Sequence, residues 1–210
     1  GAGMKLSPPL SPRVWVTEEQ AERAKIFIPD GGEVLGIGPT SNWIGKTWEA
    51  EKFIALIKIL TAPNGILPNA HVAIFAAPKE EDAAYKVLNS IPKDRQIDII
   101  AKTDPATVIA ALARCSLYIG NDSGLMHSAA AAGVPTVGLF GPGYPDQYRP
   151  WGRCTTYVRT PETVQELTGY AGYDSKTAPC LMGTLTVSDV VTEVERFWDA
   201  YAAKACVAST

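Results

Sequence analysis

The chain has 210 residues, 46% of them apolar and 20% charged, which gives room for one large core or two small ones. That composition excludes a disordered regulator, whose apolar content is too low and whose charge is too high to support a packed core. Nineteen basic residues against twenty-two acidic ones leave a net charge of −3, which argues against a nucleic acid partner, because that binding rests on a concentrated positive field.

Residues 1–30 read as a cloning scar, an inter-domain linker and a short helix; residues 31–204 read as one globular domain, and 205–210 as a tail. Gly1-Ala2-Gly3-Met4 lacks the basic region and apolar core of a signal peptide. From Lys5 to Pro12, Pro8, Pro9 and Pro12 make an extended linker. Val14 to Ile28 carries a short helical pattern that Pro29-Asp30-Gly31-Gly32 terminates, and the globular domain is expected to begin there.

From Val34 onward, strand-length apolar runs alternate with helical patterns, the signature of βαβ units and a parallel sheet. Val34 to Ile37 is the first strand. Thr47 to Leu60 follows as a helix, with Phe53, Leu56, Ile57 and Leu60 on one face. His71 to Ala76 is the second strand, and a helix running to Leu88 opens with Pro78 in its first turn and Glu80, Glu81 and Asp82 at its positive end. Ile97 to Ile100 is the third strand. Asp104 caps a helix that begins at Pro105 and runs through Leu112.

Leu117 to Ile119 is the fourth strand, followed by a turn at Gly120 to Gly124 and a helix of small residues from Leu125 to Ala132 that stops at Gly133. Thr136 to Phe140 is the fifth strand. Gly141 to Gly152 reads as loop, Thr155 to Val158 as a sixth strand and Glu162 to Cys180 as an irregular insertion. The last helix opens on a Thr186/Asp189 capping box and carries an apolar stripe through Val187, Val190, Val191, Val194, Phe197, Trp198 and Tyr201. No stretch reaches the roughly 20 apolar residues of a membrane-spanning helix. The best candidate, Ala129 to Phe140, is broken by Gly133 and Pro135. Cys115, Cys154, Cys180 and Cys206 are far apart, with no C-x-x-C pair and only two histidines in the chain, a usage that suits reduced thiols in a cytosolic protein rather than a zinc site.

In an open parallel sheet, ligands bind at the carboxyl ends of the strands, and two loops there carry polar chemistry. The first ends in Gly45-Lys46-Thr47, one residue short of the phosphate-binding pattern G-x-x-x-x-G-K-T because Thr40 holds the first glycine's place. Trp43 and Ile44 would crowd such a cradle, which weakens the P-loop-like hydrolase reading. The hydroxyls of Thr40 and Ser41, the Asn42 amide and the Lys46 ammonium instead suit a diphosphate held by side chains. Lys46 is equally a solvated loop lysine on this reading, with little expected part in folding. Gly36 and Gly38 begin a dinucleotide fingerprint, but Ser41 holds the third glycine's place and no acidic residue ends the second strand.

The second loop runs Asn121-Asp122-Ser123-Gly124-Leu125-Met126-His127. Gly124 allows a ligand close to the backbone, and the N–H groups of Ser123 to Leu125 are free to receive a phosphate oxygen. Asp122 either caps the helix or accepts from sugar hydroxyls. His127 either reaches the ligand or is structural, and His71 reads as structural.

These residues resemble glycosyltransferase family 9, the bacterial ADP-heptose:lipopolysaccharide heptosyltransferases. The run from Asn121 to Pro142 looks like that family's D-[ST]-G-x-x-H-x-A-A motif leading into L-F-G-P; Lys46-Thr47-Trp48, Ala77 to Glu81 and Lys102-Thr103 match further segments. The resemblance implies an α/β fold, a Rossmann-like parallel sheet flanked by helices that forms the C-terminal half of a GT-B glycosyltransferase. It implies an ADP-sugar donor with no cofactor and no metal, and transfer of heptose with inversion. The lipopolysaccharide core acceptor would be engaged through an N-terminal domain that also holds the general base, so no catalytic residue is expected here. Leaving-group stabilisation falls to Lys46, Ser123 and Gly124. Donor binding falls to Thr40, Ser41, Asn42, Lys46, Glu80, Thr103, Asp122, Ser123, Gly124, Leu125 and His127. The implied location is cytoplasmic, at most peripheral at the inner membrane. A nucleotide-binding module without transfer activity is the alternative reading.

Overall fold

The computed structural model describes residues 11–208. The linker expectation for residues 5–10, the scar and the end of the tail lie outside the described residues. Six strands form one parallel sheet in the order β3-β2-β1-β4-β5-β6: β1 (Val34–Gly38), β2 (His71–Ala76), β3 (Gln96–Ile100), β4 (Leu117–Asn121), β5 (Thr136–Phe140) and β6 (Thr155–Arg159). Every residue of β1, β4 and β5 is buried, as expected of strands covered by helices on both faces. The chain order reverses between β1 and β4, so their carboxyl ends diverge and leave a crevice.

Helix α2 (Ala50–Leu60) turns Phe53, Leu56, Ile57 and Leu60 into the core, each worth about 1.5 to 3 kcal/mol of burial. It packs on one face of the sheet with α3 (Glu81–Leu88) and the long α8 (Val187–Ala208). The other face is covered by α1 (Glu18–Phe27), α4 (Pro105–Leu112) and α5 (Gly124–Ala131). Gly133 follows α5 at φ +84°, a left-handed position that ends the helix and that glycine adopts without steric cost.

Several boundaries differ from the sequence expectation for local reasons. Helix α1 begins only after Thr17, whose side chain and Gln20 close a capping box, so Val14 to Val16 lie outside the helix. Ala24 and Ile28 are buried in the core, so the packed body reaches back before residue 31. Helix α2 starts at Ala50 rather than Thr47, because Thr47 (φ −94°, ψ 111°) and Glu49 (φ −62°, ψ 139°) hold extended backbone angles; the Trp48 N–H between them donates to Asn121 Oδ1 at 3.1 Å. Pro78 lies outside α3, which cannot extend back through Lys79 at φ +78°. The loop after β5 contains a short helix, α6 (Pro145–Tyr148). The expected irregular insertion contains α7 (Val164–Thr168), opened by a Thr163/Glu166 capping box that the sequence reading missed.

Candidate functional site

The crevice between the ends of β1 and β4 opens onto a pocket of about 460 Å3. Thr40, Ser41 and Asn42 form its β1 side, Glu80 and Thr103 come from the loops after β2 and β3, and Ser123, Gly124 and Leu125 form its β4 side. Eight residues chosen from the sequence therefore share one cavity. Between them runs an apolar wall of Ala76, Ala77, Pro78, Ala101, Pro105, Val108 and Ile109. Ala101 holds φ +51°, a left-handed conformation that costs a non-glycine residue about 1 to 2 kcal/mol.

The loop after β1 is internally braced. The Ser41 hydroxyl donates to the Trp43 carbonyl at 2.8 Å, and a single 3-10 turn, Ile44–Lys46, follows. The Trp43 ring lies against Gly45, where a Cβ would stand 2.6 Å from it. Thr40, buried, donates from Oγ1 to Glu80 Oε2 at 2.5 Å. The hydroxyls of Thr40 and Ser41 are thus engaged by the protein, whereas Asn42 is exposed at the rim.

Lys46 and Asp122 lie beside this pocket and meet each other. Lys46 Nζ stands 2.6 Å from Asp122 Oδ2, with the side chains 25% and 6% exposed. Asp122 does not cap α5. The helix starts at Gly124, one residue earlier than expected, so Ser123 is its N-cap; Asp122 lies in the bend just after β4, its N–H donating to the Leu139 carbonyl. Ser123 makes no side-chain cap bond either. Among the described residues nothing accepts from the N–H groups of Ser123, Gly124 and Leu125, which leaves three donors at the positive end of a helix. A Cβ at Gly124 would meet nothing within 4 Å, so the backbone there is open to approach. His127 is exposed one turn into α5.

Residues not singled out from the sequence complete the edge. The Tyr148 ring on α6 lies 5.9 Å from Lys46 Nζ, and Gly143 passes close enough that a Cβ would sit 2.8 Å from Asp122 Oδ2. Part of the expected insertion and the residues just after it brace the Lys46 loop: the Cys180 thiol donates to the Thr47 carbonyl at 3.1 Å, the Leu181 N–H to the Gly45 carbonyl, and the buried Trp48 indole N–H to the Leu185 carbonyl at 2.9 Å. Burial pushes the Cys180 thiol pKa up, so the thiol form that donates persists at neutral pH. Among the described residues no group of three His, Cys, Asp or Glu side chains could hold a metal ion, and no helix is long and apolar enough to cross a membrane.

The sequence model of glycosyltransferase family 9 (heptosyltransferase) matches residues 5–169. The chain belongs to this family. It is 32% identical over 130 residues to lipooligosaccharide heptosyltransferase 2 of Campylobacter jejuni, covering 60% of this chain and 39% of that protein. The fold matches E. coli ADP-heptose lps heptosyltransferase II with a TM-score of 0.71 at 21% identity, over 94% of this chain and 56% of that one. E. coli heptosyltransferase WaaC with ADP matches with a TM-score of 0.61 at 21% identity, over 83% of this chain and 48% of that one. The chain thus spans between 39% and 56% of the length of these family 9 proteins, and its six-stranded sheet with flanking helices is the Rossmann-like half of their GT-B fold.

Proposed function

We propose that this domain binds the nucleotide-sugar donor of a glycosyltransferase that moves heptose from ADP-heptose to a lipopolysaccharide core acceptor in the cytoplasm, at the inner membrane. The observation that carries the reading is the convergence, at one switch point of a family 9 fold, of a lysine, three free helix N–H groups and a pocket with an apolar wall. On this reading the flat wall from Ala76 to Ile109 takes the base, Glu80 and Thr103 face the nucleoside, and the N–H groups at Ser123 to Leu125 take the diphosphate with Lys46 and Asn42. Thr40 and Ser41 shape the pocket through Glu80 and Trp43, and Asp122 and His127 face the sugar.

The chemistry fits that division. An acceptor hydroxyl attacks the anomeric carbon, the bond from that carbon to the phosphate oxygen breaks, and ADP departs with the added negative charge. Lys46 and the start of α5 stabilise the charge as it develops. The acceptor's proton passes to a base on a second domain facing this one, so the present chain holds donor without transferring sugar.

Calorimetric titration with ADP, UDP and NAD tests the reading. ADP is expected to bind tightest, with the same affinity in magnesium and in EDTA. Equal binding of all three, or none, would refute it.

A further inference from the structure

The connection from β5 to β6 carries a second cavity, of about 460 Å3, within the range of about 300 to 1,000 Å3 usual for small-ligand sites. Its walls are Asp146 and Gln147 of α6, then Arg149 and Trp151, and Thr156 and Tyr157 of β6. Trp151 is 59% exposed, yet it stands on a corner of chain that packing holds still. Pro150 before it is buried, and its carbonyl accepts from the Thr155 hydroxyl at 3.0 Å. A Cβ at Gly152 after it would fall 3.1 Å from Thr155 Cγ2 and 3.2 Å from the Ala130 carbonyl oxygen. A large ring is thus presented on a fixed backbone, which loses little conformational freedom when a ligand covers it.

Helix α6 is shared with the donor site. Tyr148, its last residue, has its ring 5.9 Å from Lys46 Nζ, while Asp146 and Gln147 just before it and Arg149 just after it line the second cavity. One helical turn therefore borders both sites. The walls of the second cavity also select a ligand. Asp146 and Arg149 are exposed and enter no ion pair among the described residues. Their opposite charges leave the wall neutral, and the carboxylate opposes a phosphate, so a second nucleotide does not suit it. A carboxylate that only accepts, a guanidinium that only donates and an amide that does both can together serve the neighbouring hydroxyls of a sugar. The indole supplies the apolar face on which the C–H side of a sugar ring packs.

We propose that this cavity is a saccharide subsite, in which a sugar ring of the acceptor stacks on Trp151 and places its hydroxyls against Asp146, Gln147 and Arg149. The subsite rests on the glycosyltransferase reading above and adds to it a contact between the acceptor and this domain. The reacting hydroxyl and its base remain with the facing domain. From the cavity the acceptor reaches the donor across α6, past Tyr148 to Lys46, so the two sites hold the two substrates of one reaction.

The test is calorimetric titration of the parent chain, Trp151→Ala and Arg149→Gln with lipid-free core oligosaccharide released from lipopolysaccharide, and separately with ADP, alongside melting temperatures. The parent is expected to bind the oligosaccharide. Trp151→Ala is expected to lose about tenfold of that affinity, the order for truncating an aromatic anchor, and Arg149→Gln to lose a smaller part. Both variants should keep the parent's melting temperature and ADP affinity. A parent that binds no oligosaccharide, or variants that bind it as the parent does, would overturn the subsite. Vesicles of phosphatidylglycerol and phosphatidylethanolamine serve as the comparison: vesicle binding that Trp151→Ala abolishes, without any binding of the lipid-free oligosaccharide, would make this face a membrane contact and overturn the proposal as well. Should Trp151→Ala fail to fold, Arg149→Gln carries the test, because its side chain is exposed and supports no ion pair. The ADP titration reports on the donor reading separately: a parent that binds oligosaccharide through Trp151 and no ADP would remove the donor reading and support the subsite, and one that binds ADP and no oligosaccharide would do the reverse.

Discussion

Lys46 Nζ and Asp122 Oδ2, 76 residues apart in the chain, stand 2.6 Å apart and tie the loop after β1 to the end of β4. A lysine expected from the sequence to serve the diphosphate and to matter little for folding is thus tethered, and a carboxylate only 6% exposed depends on it.

Lys46→Ala is therefore expected to act on stability as well as on binding. It removes the partner of a largely buried carboxylate, which should destabilise the fold by about 1 to 3 kcal/mol, less than for a fully buried pair because Lys46 is partly exposed. It should weaken ADP by about 1.5 to 3 kcal/mol, the range for hydrogen bonds to charged groups. Adding Asp122→Asn should restore most of the stability and none of the ADP affinity. Urea denaturation and calorimetry on the same samples separate the two effects, and a stability loss that Asp122→Asn leaves in place would contradict the pairing.

Gly124→Val discriminates site from scaffold. A side chain there meets nothing within 4 Å, and Gly124 is not among the residues with positive φ, so the melting temperature should stay within a few degrees of the parent. A branched group in front of the free N–H donors should nevertheless block a phosphate. Loss of ADP binding at unchanged melting temperature is the expected pair of results; retained binding would place the phosphate elsewhere.

Trp48 anchors the brace behind Lys46. Its indole N–H and Lys52 Nζ both donate to the Leu185 carbonyl. Trp48→Phe should therefore cost only about 1 to 2 kcal/mol, since Lys52 keeps that carbonyl partly satisfied. Removing both donors with Trp48→Phe and Lys52→Met should cost more than the sum of the single changes in urea unfolding.

Asp104 provides an acid-sensitive feature. The Thr107 hydroxyl and N–H and the neighbouring Arg23 hold its carboxyl down to about 2 from an ordinary 3.8. A depressed carboxyl stabilises the fold above its unfolded value and loses that contribution as pH falls from 3.8 through about 2. Asp104→Asn retains cap geometry without the charge, so its stability should fall less steeply across that interval than the parent's. Parallel slopes in acid titrations followed by circular dichroism would refute this.

How far the residues alone could be read depended on distance along the chain. Helix α4 was legible in full because Asp104 and Pro105 are a local stop and start, and β2 and β5 coincide with their apolar runs. The short helices α6 and α7 escaped because four or five residues show no period; the Thr163/Glu166 capping box was the one available signal for α7. The second loop could be placed at the ligand edge, but whether Asp122 capped α5 could not be settled, since a one-residue shift in the helix start decides it.

By itself the sequence determined the six strands and the longer helices, which faces are apolar and which two polar loops follow strands, because period, caps and turn residues act over a few positions. It also carried the family motif from Asp122 onward. Only the tertiary structure decided that Lys46 meets Asp122, that Thr40 meets Glu80, and that Tyr118 fills the space left by Gly38 and Gly120. Those relations arise because β4 returns beside β1 after two intervening strands. Side-chain partners across such a switch point are set by sheet order and register, which no local pattern in the chain encodes.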